Sequence, residues 1–325
     1  DLAFEELINS KANETVKIVD FNNGRQRRGS MAAPFLKWAG GKGRILDELT
    51  SRLPQMPSEG YDYFEPFLGG GALFFHLEKV GKIKSATLSD VNPELILCYK
   101  VIQEDVETLV AELERISKKF PKRDFYRKNF FYRMRAKWNA KICNSIDEVS
   151  KSKAAKRVAL TIFLNKTCFN GLFRVNSKGE FNVPYASYKN PSFVNADKLR
   201  DVSKALKGVS VLCQEYDKNI LPSNDNFVYF DPPYRPLTTS SSFTAYSKSG
   251  FNDTDQNMLA DYVKYISTKS KIMLSNSDPK NQDTNDDFFE DLYSEFTIER
   301  IMAPRAINSD GKGRGKISEI LVTNY

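Results

Sequence analysis

The sequence predicts an α/β fold: a parallel sheet interrupted by a basic helical insertion that ends in a hairpin. Three observations lead there. Short apolar strands alternate with helix-compatible stretches both early and late in the chain. A glycine cluster sits where a strand hands over to a helix, at Gly69-Gly70-Gly71. Positive charge is concentrated in the middle: residues 118–174 hold sixteen Lys or Arg against three acids (Asp124, Asp147, Glu148). That local excess of +13 lies in a chain of net charge +7 whose first thirty residues sum to zero, so the remainder stands at −6. A basic block inside an otherwise acidic protein is the electrostatic footprint of a phosphate-backbone partner.

Residues 1–30 read as a peripheral extension or an added remnant: they lack apolar periodicity and close on the basic run Gly24-Arg25-Gln26-Arg27-Arg28-Gly29-Ser30. Met31 opens the compact body. Tyr61 to Phe67 is the first strand, and Ala72 to Val80 the helix after the glycines. Ser85 to Leu88 is a second strand ending at Asp90, and Glu94 to Val101 restarts a helix. Ile102, Val106, Leu109, Val110, Leu113 and Ile116 continue at helical spacing, and the basic stretch 118–166 is mostly helical, most clearly from Ala154 to Leu164. Phe173–Asn176 and Glu180–Val183 flank Ser177-Lys178-Gly179, a three-residue hairpin loop with glycine where positive φ is wanted. Beyond residue 205 come strands Val209–Leu212, Phe227–Phe230, Lys271–Leu274 and Ile317–Thr323, with a helix near Gln256–Ser267.

No apolar run approaches the roughly 20 residues that span a bilayer, and no cleavable signal pattern opens the sequence, so a cytoplasmic location is expected. Cys98, Cys143, Cys168 and Cys213 lack CxxC spacing, and His76, the sole histidine, lies in the apolar run Leu73–Leu77. Free thiols in a reducing compartment and no metal are expected.

The chemistry concentrates at Asp231-Pro232-Pro233-Tyr234, directly after the apolar strand. The carboxyl end of a parallel strand opens on the crevice where α/β sheets bind ligands. The Asp231 carboxylate and the Pro232 carbonyl form an acceptor pair, and the paired prolines stiffen the bend. Such a pair suits an amine whose lone pair is delocalised into a ring, as in adenine. Bonding both amine protons draws the nitrogen toward tetrahedral geometry. Tyr234 offers an aromatic face to a base withdrawn from its stack. On the other side, Glu65-Pro66-Phe67-Leu68-Gly69-Gly70-Gly71 lets backbone approach a ligand closely. Asp90, about twenty residues on, is placed for ribose hydroxyls. In Phe35-Leu36-Lys37-Trp38-Ala39-Gly40-Gly41-Lys42 the indole can stack on an adenine ring and Lys42 can meet a carboxylate. A GxxxxGK[ST] phosphate loop is absent, which argues against a nucleoside triphosphatase.

These motifs and their order resemble the Dam-type DNA adenine-N6 methyltransferases, as does the stretch Phe169 to Pro184, which is similar to that family's recognition hairpin. The resemblance spans residues 34–325. It implies a Rossmann-like S-adenosylmethionine-dependent methyltransferase fold with an inserted helical target-recognition domain. Residues 31–104 and 205–325 would be catalytic, and 105–204 would recognise DNA through a hairpin at 169–188. Cofactor contacts are implied for Trp38, Lys42, Phe67, Gly69, Gly71, Asp90 and Asp231, and catalysis for Asp231 to Tyr234. In double-stranded DNA of sequence GATC, Lys37 matches the residue reading the first guanine, assisted by Tyr188. Arg174 matches a guanine-reading arginine, and Leu172 and Pro184 match contacts to thymine. Phe169 and Asn170 match residues inserted beside a flipped adenine. Two departures stand out: Phe169 lacks the hydroxyl of the family's tyrosine, and Ser187 replaces an expected basic side chain.

A cytosine-C5 enzyme would need a nucleophilic cysteine after proline, and no cysteine here follows one. N4-cytosine and RNA-adenine methyltransferases share the Pro-Pro-aromatic logic, and a silent DNA-binding relative would keep the fold. The hairpin residues speak against the first two, and the complete acceptor motif against the third.

Overall fold

The computed structural model describes residues 32–140, 151–218, 220–236, 251–304 and 316–325, all within the unit Met31–Tyr325. The peripheral stretch expected over residues 1–30 lies outside the described residues, as do Cys143, Asp147 and Glu148. Strands β1 (Tyr61–Glu65), β2 (Ile83–Asp90), β3 (Ser210–Cys213), β4 (Asn226–Phe230), β5 (Lys271–Ser277), β6 (Thr297–Pro304) and β7 (Lys316–Thr323) form one sheet. Its order is β3-β2-β1-β4-β5-β7-β6. The first five positions are mutually parallel, while β7 runs antiparallel to both β5 and β6. The parallel sheet expected from the strand–helix alternation is therefore present but ends in an antiparallel pair. Strand β6 escaped the sequence reading because its fully buried apolar residues, Ile301 and Ala303, are confined to its second half, with Ile298 only partly buried.

The helices are α1 (Leu46–Thr50), α2 (Ala72–Lys79), α3 (Pro93–Lys119), α4 (Asp124–Asn139), α5 (Lys151–Thr167), α6 (Ala196–Ala205), α7 (Asp253–Ser267) and α8 (Phe288–Leu292). Apolar layers cover both faces of the sheet. Phe227, Tyr229, Met273 and Leu321 belong to a core shared with α2, α3 and α5. Their neighbours along the same strands, Val228, Phe230, Ile272, Leu274, Ile320 and Val322, belong to a second core with α7 and α8. The two-residue period of a strand assigns alternate side chains to opposite faces. With both faces covered, all five residues of β4 are buried, which is why it reads as an unbroken apolar run.

Helix α3 links the sheet to the basic helices. Asn92 caps it by accepting the Glu94 and Leu95 amides, with Pro93 at its first position. At Asp105 the backbone leaves helical geometry (φ −150°, ψ 51°), and beyond this kink the helix continues to Lys119. The helical spacing expected from Glu94 through Ile116 is thus one element with a bend in it. Helices α5 and α6 pack on α3, and α4 packs on α5.

One buried ion pair ties these helices together. Arg157 of α5 donates to both oxygens of Glu94 on α3, at 3.2 and 3.1 Å from Nε, and bonds the Trp138 carbonyl. Its guanidinium also lies 3.6 Å from the Trp138 ring centroid. Both partners are largely withdrawn from water, so removing one leaves an uncompensated charge. Arg157→Met is expected to cost about 3–5 kcal/mol of unfolding free energy in a urea titration. Adding Glu94→Leu should recover most of that loss, and a single variant as stable as the parent would contradict the assignment.

Candidate functional site

Strand β1 has β2 on one side and β4 on the other. The chain leaves β1 toward β2 and reaches β4 only later, so strand order reverses at β1 and the loops beyond the carboxyl ends of β1, β2 and β4 part there. This is the crevice in which open α/β sheets bind ligands. The predicted residues fall at these three strand ends.

After β1 the chain turns through Gly69 (φ +47°) to Gly71 (φ +65°), the residue that caps α2. Gly71 must be glycine on two counts: left-handed backbone, and a Cβ that would sit 2.9 Å from the Tyr99 hydroxyl oxygen. The Tyr99 hydroxyl donates to the Gly69 carbonyl at 3.2 Å. Asp90, the last residue of β2, accepts the Gly69 amide at 3.1 Å and the Asn92 amide at 2.9 Å. Burial raises its carboxyl to about 6, against the backbone amides that favour the anion. Phe67 stacks on Tyr216, with ring centroids 5.3 Å apart, and meets Phe251 edge-on. The result is a glycine cradle with an acid on one wall and an aromatic pair on the other.

Across the crevice, Asp231 follows the fully buried β4. Lys42, only 7% exposed, reaches its Oδ1 at 2.7 Å and also donates to the Gly40 carbonyl at 2.6 Å. The same ammonium lies 4.6 Å from the centroid of the Tyr234 ring. Burial pushes the Asp231 carboxyl up to about 6 despite the pull of Lys42, and Glu319 adds to the rise. The Asp-Pro-Pro-Tyr bend is fastened from outside. Gln256 donates to the Pro233 carbonyl (3.1 Å), Asn276 accepts the Arg235 amide (3.1 Å), and the Ser277 hydroxyl donates to the Arg235 carbonyl (2.8 Å). The Tyr234 hydroxyl donates to Glu319 at 2.6 Å. Among the described residues no hydrogen bond to the Pro232 carbonyl is found, and the Asp231 carboxylate is engaged by Lys42.

Glu65, Glu319 and Gln256 were not singled out from the sequence. Glu65 carried a signal, because alternation along Tyr61, Tyr63 and Glu65 places it on the buried face of β1. It accepts the Tyr63 hydroxyl at 2.8 Å, and burial holds its carboxyl at about 8, so it is protonated at neutral pH. Glu319 and Gln256 reach the bend from β7 and α7, contacts that local pattern does not show.

The hairpin has the expected loop. Asn176 and Glu180 close it with an amide-to-carbonyl bond of 2.9 Å, and Gly179 takes φ +79°. A second pair of rungs at its root joins Phe169 to Pro184 and Ala186 to Thr167. Phe173, Phe181 and Val183 point into the core, while Leu172, Arg174 and Pro184 are exposed. Arg174 is steadied by Asn182, which accepts from its Nε at 2.8 Å. Phe169 stands 53% exposed beside Asn170, the sole non-glycine residue with positive φ (+56°) among the described residues. Tyr188 bonds the Cys168 carbonyl at 3.2 Å. All seven residues expected to contact DNA thus lie on the hairpin or, for Lys37, against its root.

Lys37 and Trp38 join the two halves. The Trp38 indole stacks on Phe173 of the hairpin (centroids 5.0 Å, 23°), with its Cδ1 edge next to Gly69. Lys37 stands near Lys166 and Lys198, and Lys198 donates to the Pro34 carbonyl at 2.7 Å. Burial and these two like charges lower Lys166 to about 8. A cavity of about 100 Å³ opens there between Lys166, Lys198, Ser192 and Asn195. Among the described residues no cluster of acids, cysteines or histidines is suited to a metal ion. No described helix is long and apolar enough to cross a membrane.

Comparison with known proteins adds a family. The family described as D12 class N6 adenine-specific DNA methyltransferase matches residues 38–307. The type II methyltransferase M.MjaIII of Methanocaldococcus jannaschii is 47% identical over 298 residues, covering 90% of this chain and 99% of that protein. The type II methyltransferase M1.LlaDCHI of Lactococcus lactis subsp. cremoris is 36% identical over 296 residues, 90% of this chain and 95% of the relative. A DNA adenine methylase of Haemophilus influenzae is 31% identical over 291 residues, covering 89% and 92% respectively.

The electrostatics of the bend can be measured directly. Carboxyl ¹³C NMR should show Asp231 titrating near 6, above its ordinary value of 3.8. Because Lys42 favours the anion, Lys42→Met should move that midpoint further up. A midpoint that stays put or falls would remove Lys42 as the group that keeps Asp231 charged.

Proposed function

The chain belongs to the D12 class of N6 adenine-specific DNA methyltransferases, and from that premise we propose that it methylates the adenine of GATC in duplex DNA, taking the base out of the helix to do so. The observation that carries this reading is the pairing, at the end of β4, of the Lys42-bound Asp231 carboxylate with the Pro232 carbonyl. The residues 31–104 and 205–325 carry the transfer in this proposal, and 105–204 recognise the DNA.

The residues around the glycine cradle fit S-adenosylmethionine. Gly69 and Gly71 allow the tight left-handed turn, Asp90 is an acceptor at the ribose position, and Phe67 supplies an apolar wall. Trp38 and Lys42 complete the set, Lys42 as the cation for a carboxylate. Bound there, S-adenosylmethionine supplies an electrophilic sulfonium methyl group. Asp231 and the Pro232 carbonyl accept hydrogen bonds from the two N–H groups of the target adenine's amine and draw the nitrogen lone pair out of ring conjugation. Asp231 then takes the proton that the alkylated nitrogen sheds, a role that its raised carboxyl suits. Tyr234, fixed through Glu319 and facing Lys42, gives the extruded ring a surface to stack on. Ionised Asp231 is the working form, so turnover falls as pH drops through about 6.

On the DNA side, the outward row Leu172, Arg174 and Pro184 meets base edges in the major groove. Lys37 contacts the first guanine with Tyr188 beside it, and Phe169 and Asn170 fill the gap left by the extruded base. The lysine cluster at 37, 166 and 198, which has no paired carboxylate among the described residues, supports a phosphate-rich partner.

Unmethylated plasmid incubated with the protein and labelled S-adenosylmethionine, then digested with methyl-sensitive nucleases, tests the reading as a whole. Label in adenine at GATC is the expected result, and label elsewhere or nowhere rejects it. Asp231→Ala should bind duplex about as well as the parent in a gel-shift assay while losing methyl transfer; retained turnover would refute its role. Arg174→Ala should reduce discrimination between GATC and single-base variants by about 1–3 kcal/mol, read from kcat/KM ratios. Unchanged ratios would take Arg174 out of base reading.

A further inference from the structure

Asn165, in the last turn of α5, is fully buried and uses its amide on two other segments at once. Its Oδ1 accepts the Lys37 amide at 2.9 Å, and its Nδ2 donates to the Lys37 carbonyl at 2.9 Å and to the Gly171 carbonyl at 2.8 Å. Both amide hydrogens and one acceptor site are therefore spent on the backbone of just two residues. Those residues also meet through the Lys37 side chain. Gly171 takes φ +65°, and a Cβ there would fall 2.2 Å from Lys37 Cδ, so the lysine stem lies directly across the glycine. Gly171 follows Asn170, whose left-handed backbone turns Phe169 outward.

We propose that Asn165 is a positioning residue for base recognition: its amide locks Lys37 to the root of the hairpin and so sets the choice of the first base. The inference rests on Lys37 being a guanine contact, as the proposed function has it. Asn165 has no exposed surface with which to touch DNA, so it acts entirely through Lys37 and Gly171. A lysine is a flexible point charge with little directional preference of its own. Its selectivity depends on where its backbone is held, and here one amide holds both the amide and the carbonyl of that backbone. Asn165 and Gly171 constrain the same lysine from different sides, the first through its main chain and the second through its stem.

Asn165→Asp keeps the shape but replaces the donor that serves two carbonyls with an oxygen that repels them. The measurement is the ratio of methylation rates on a GATC duplex and on one with the first guanine replaced by adenine. A ratio of two rates from one preparation cancels the concentration of folded enzyme, so a merely structural role leaves it unmoved. The ratio should fall about tenfold or more. Gly171→Ala, which displaces the Lys37 stem while keeping the Asn165 side chain, should lower it comparably and serves in its place where Asn165→Asp does not fold. Combining Asn165→Asp with Lys37→Ala should give no further loss beyond Lys37→Ala alone. Ratios within twofold of the parent in the folded variants overturn the inference while leaving the proposed function standing. A parent chain that methylates no GATC adenine sinks the proposed function, and this inference with it.

Discussion

Lys42 and Asp231 meet 2.7 Å apart in a place where neither is well solvated, and the candidate chemistry depends on that meeting. A carboxylate at the end of a fully buried strand is driven toward its neutral form by loss of water. Lys42 opposes this, and the balance leaves Asp231 near 6 rather than at the value of about 8 reached by Glu65 close by. The two acids illustrate how environment divides labour. Glu65, bonded to Tyr63 inside the sheet, is neutral at ordinary pH, while Asp231 nearby stays charged. Lys42 in turn is held by the Gly40 carbonyl and lies against the Tyr234 ring, so one cation fixes the acid and the aromatic surface together.

In the proposed function, chemistry sits on strand ends and recognition on a hairpin. Strand β4 is immobilised by neighbours on both sides and apolar layers on both faces, so the bend that follows it inherits a rigid origin. Gln256, Asn276 and Ser277 then hold the bend from outside without engaging the Pro232 carbonyl. Recognition by contrast sits where outward side chains can vary at little cost to packing. The hairpin buries Phe173, Phe181 and Val183 and leaves Leu172, Arg174 and Pro184 exposed. The segment Lys37–Trp38 spans the division: Trp38 packs on Phe173 at one side and Gly69 at the other, and Lys37 is clasped by Asn165.

Much of this was legible in the sequence because it is local. Strand ends, the glycine turn, Asp90, the Asp-Pro-Pro-Tyr bend and the hairpin loop each follow from residues adjacent in the chain, and the structure places each at the anticipated spot. What escaped depends on distance. Asn165 and Lys37 are 128 positions apart, and Tyr234 and Glu319 are 85 apart, so no periodicity links them. The stacking of Trp38 on Phe173 was missed for the same reason, since an exposed-looking indole gives no hint of a partner in a distant hairpin. Strand β6 failed on composition: Glu299 and Arg300 interrupt its apolar pattern, and their partners Arg52 and Asp278 are distant in the chain. The helical spacing read from Glu94 to Ile116 holds as one element, but the kink at Asp105 within it has no local signal in that spacing.

The central claim is that the Asp231 carboxylate and the Pro232 carbonyl receive the target amine. A crystal structure of the protein with a GATC duplex and S-adenosylhomocysteine addresses it most directly. The account predicts an adenine outside the duplex stack, its exocyclic nitrogen about 2.7–3.2 Å from both acceptors and its ring against Tyr234. An adenine bound in the crevice with its amine turned away from Asp231, or left paired within an intact stack, would contradict it.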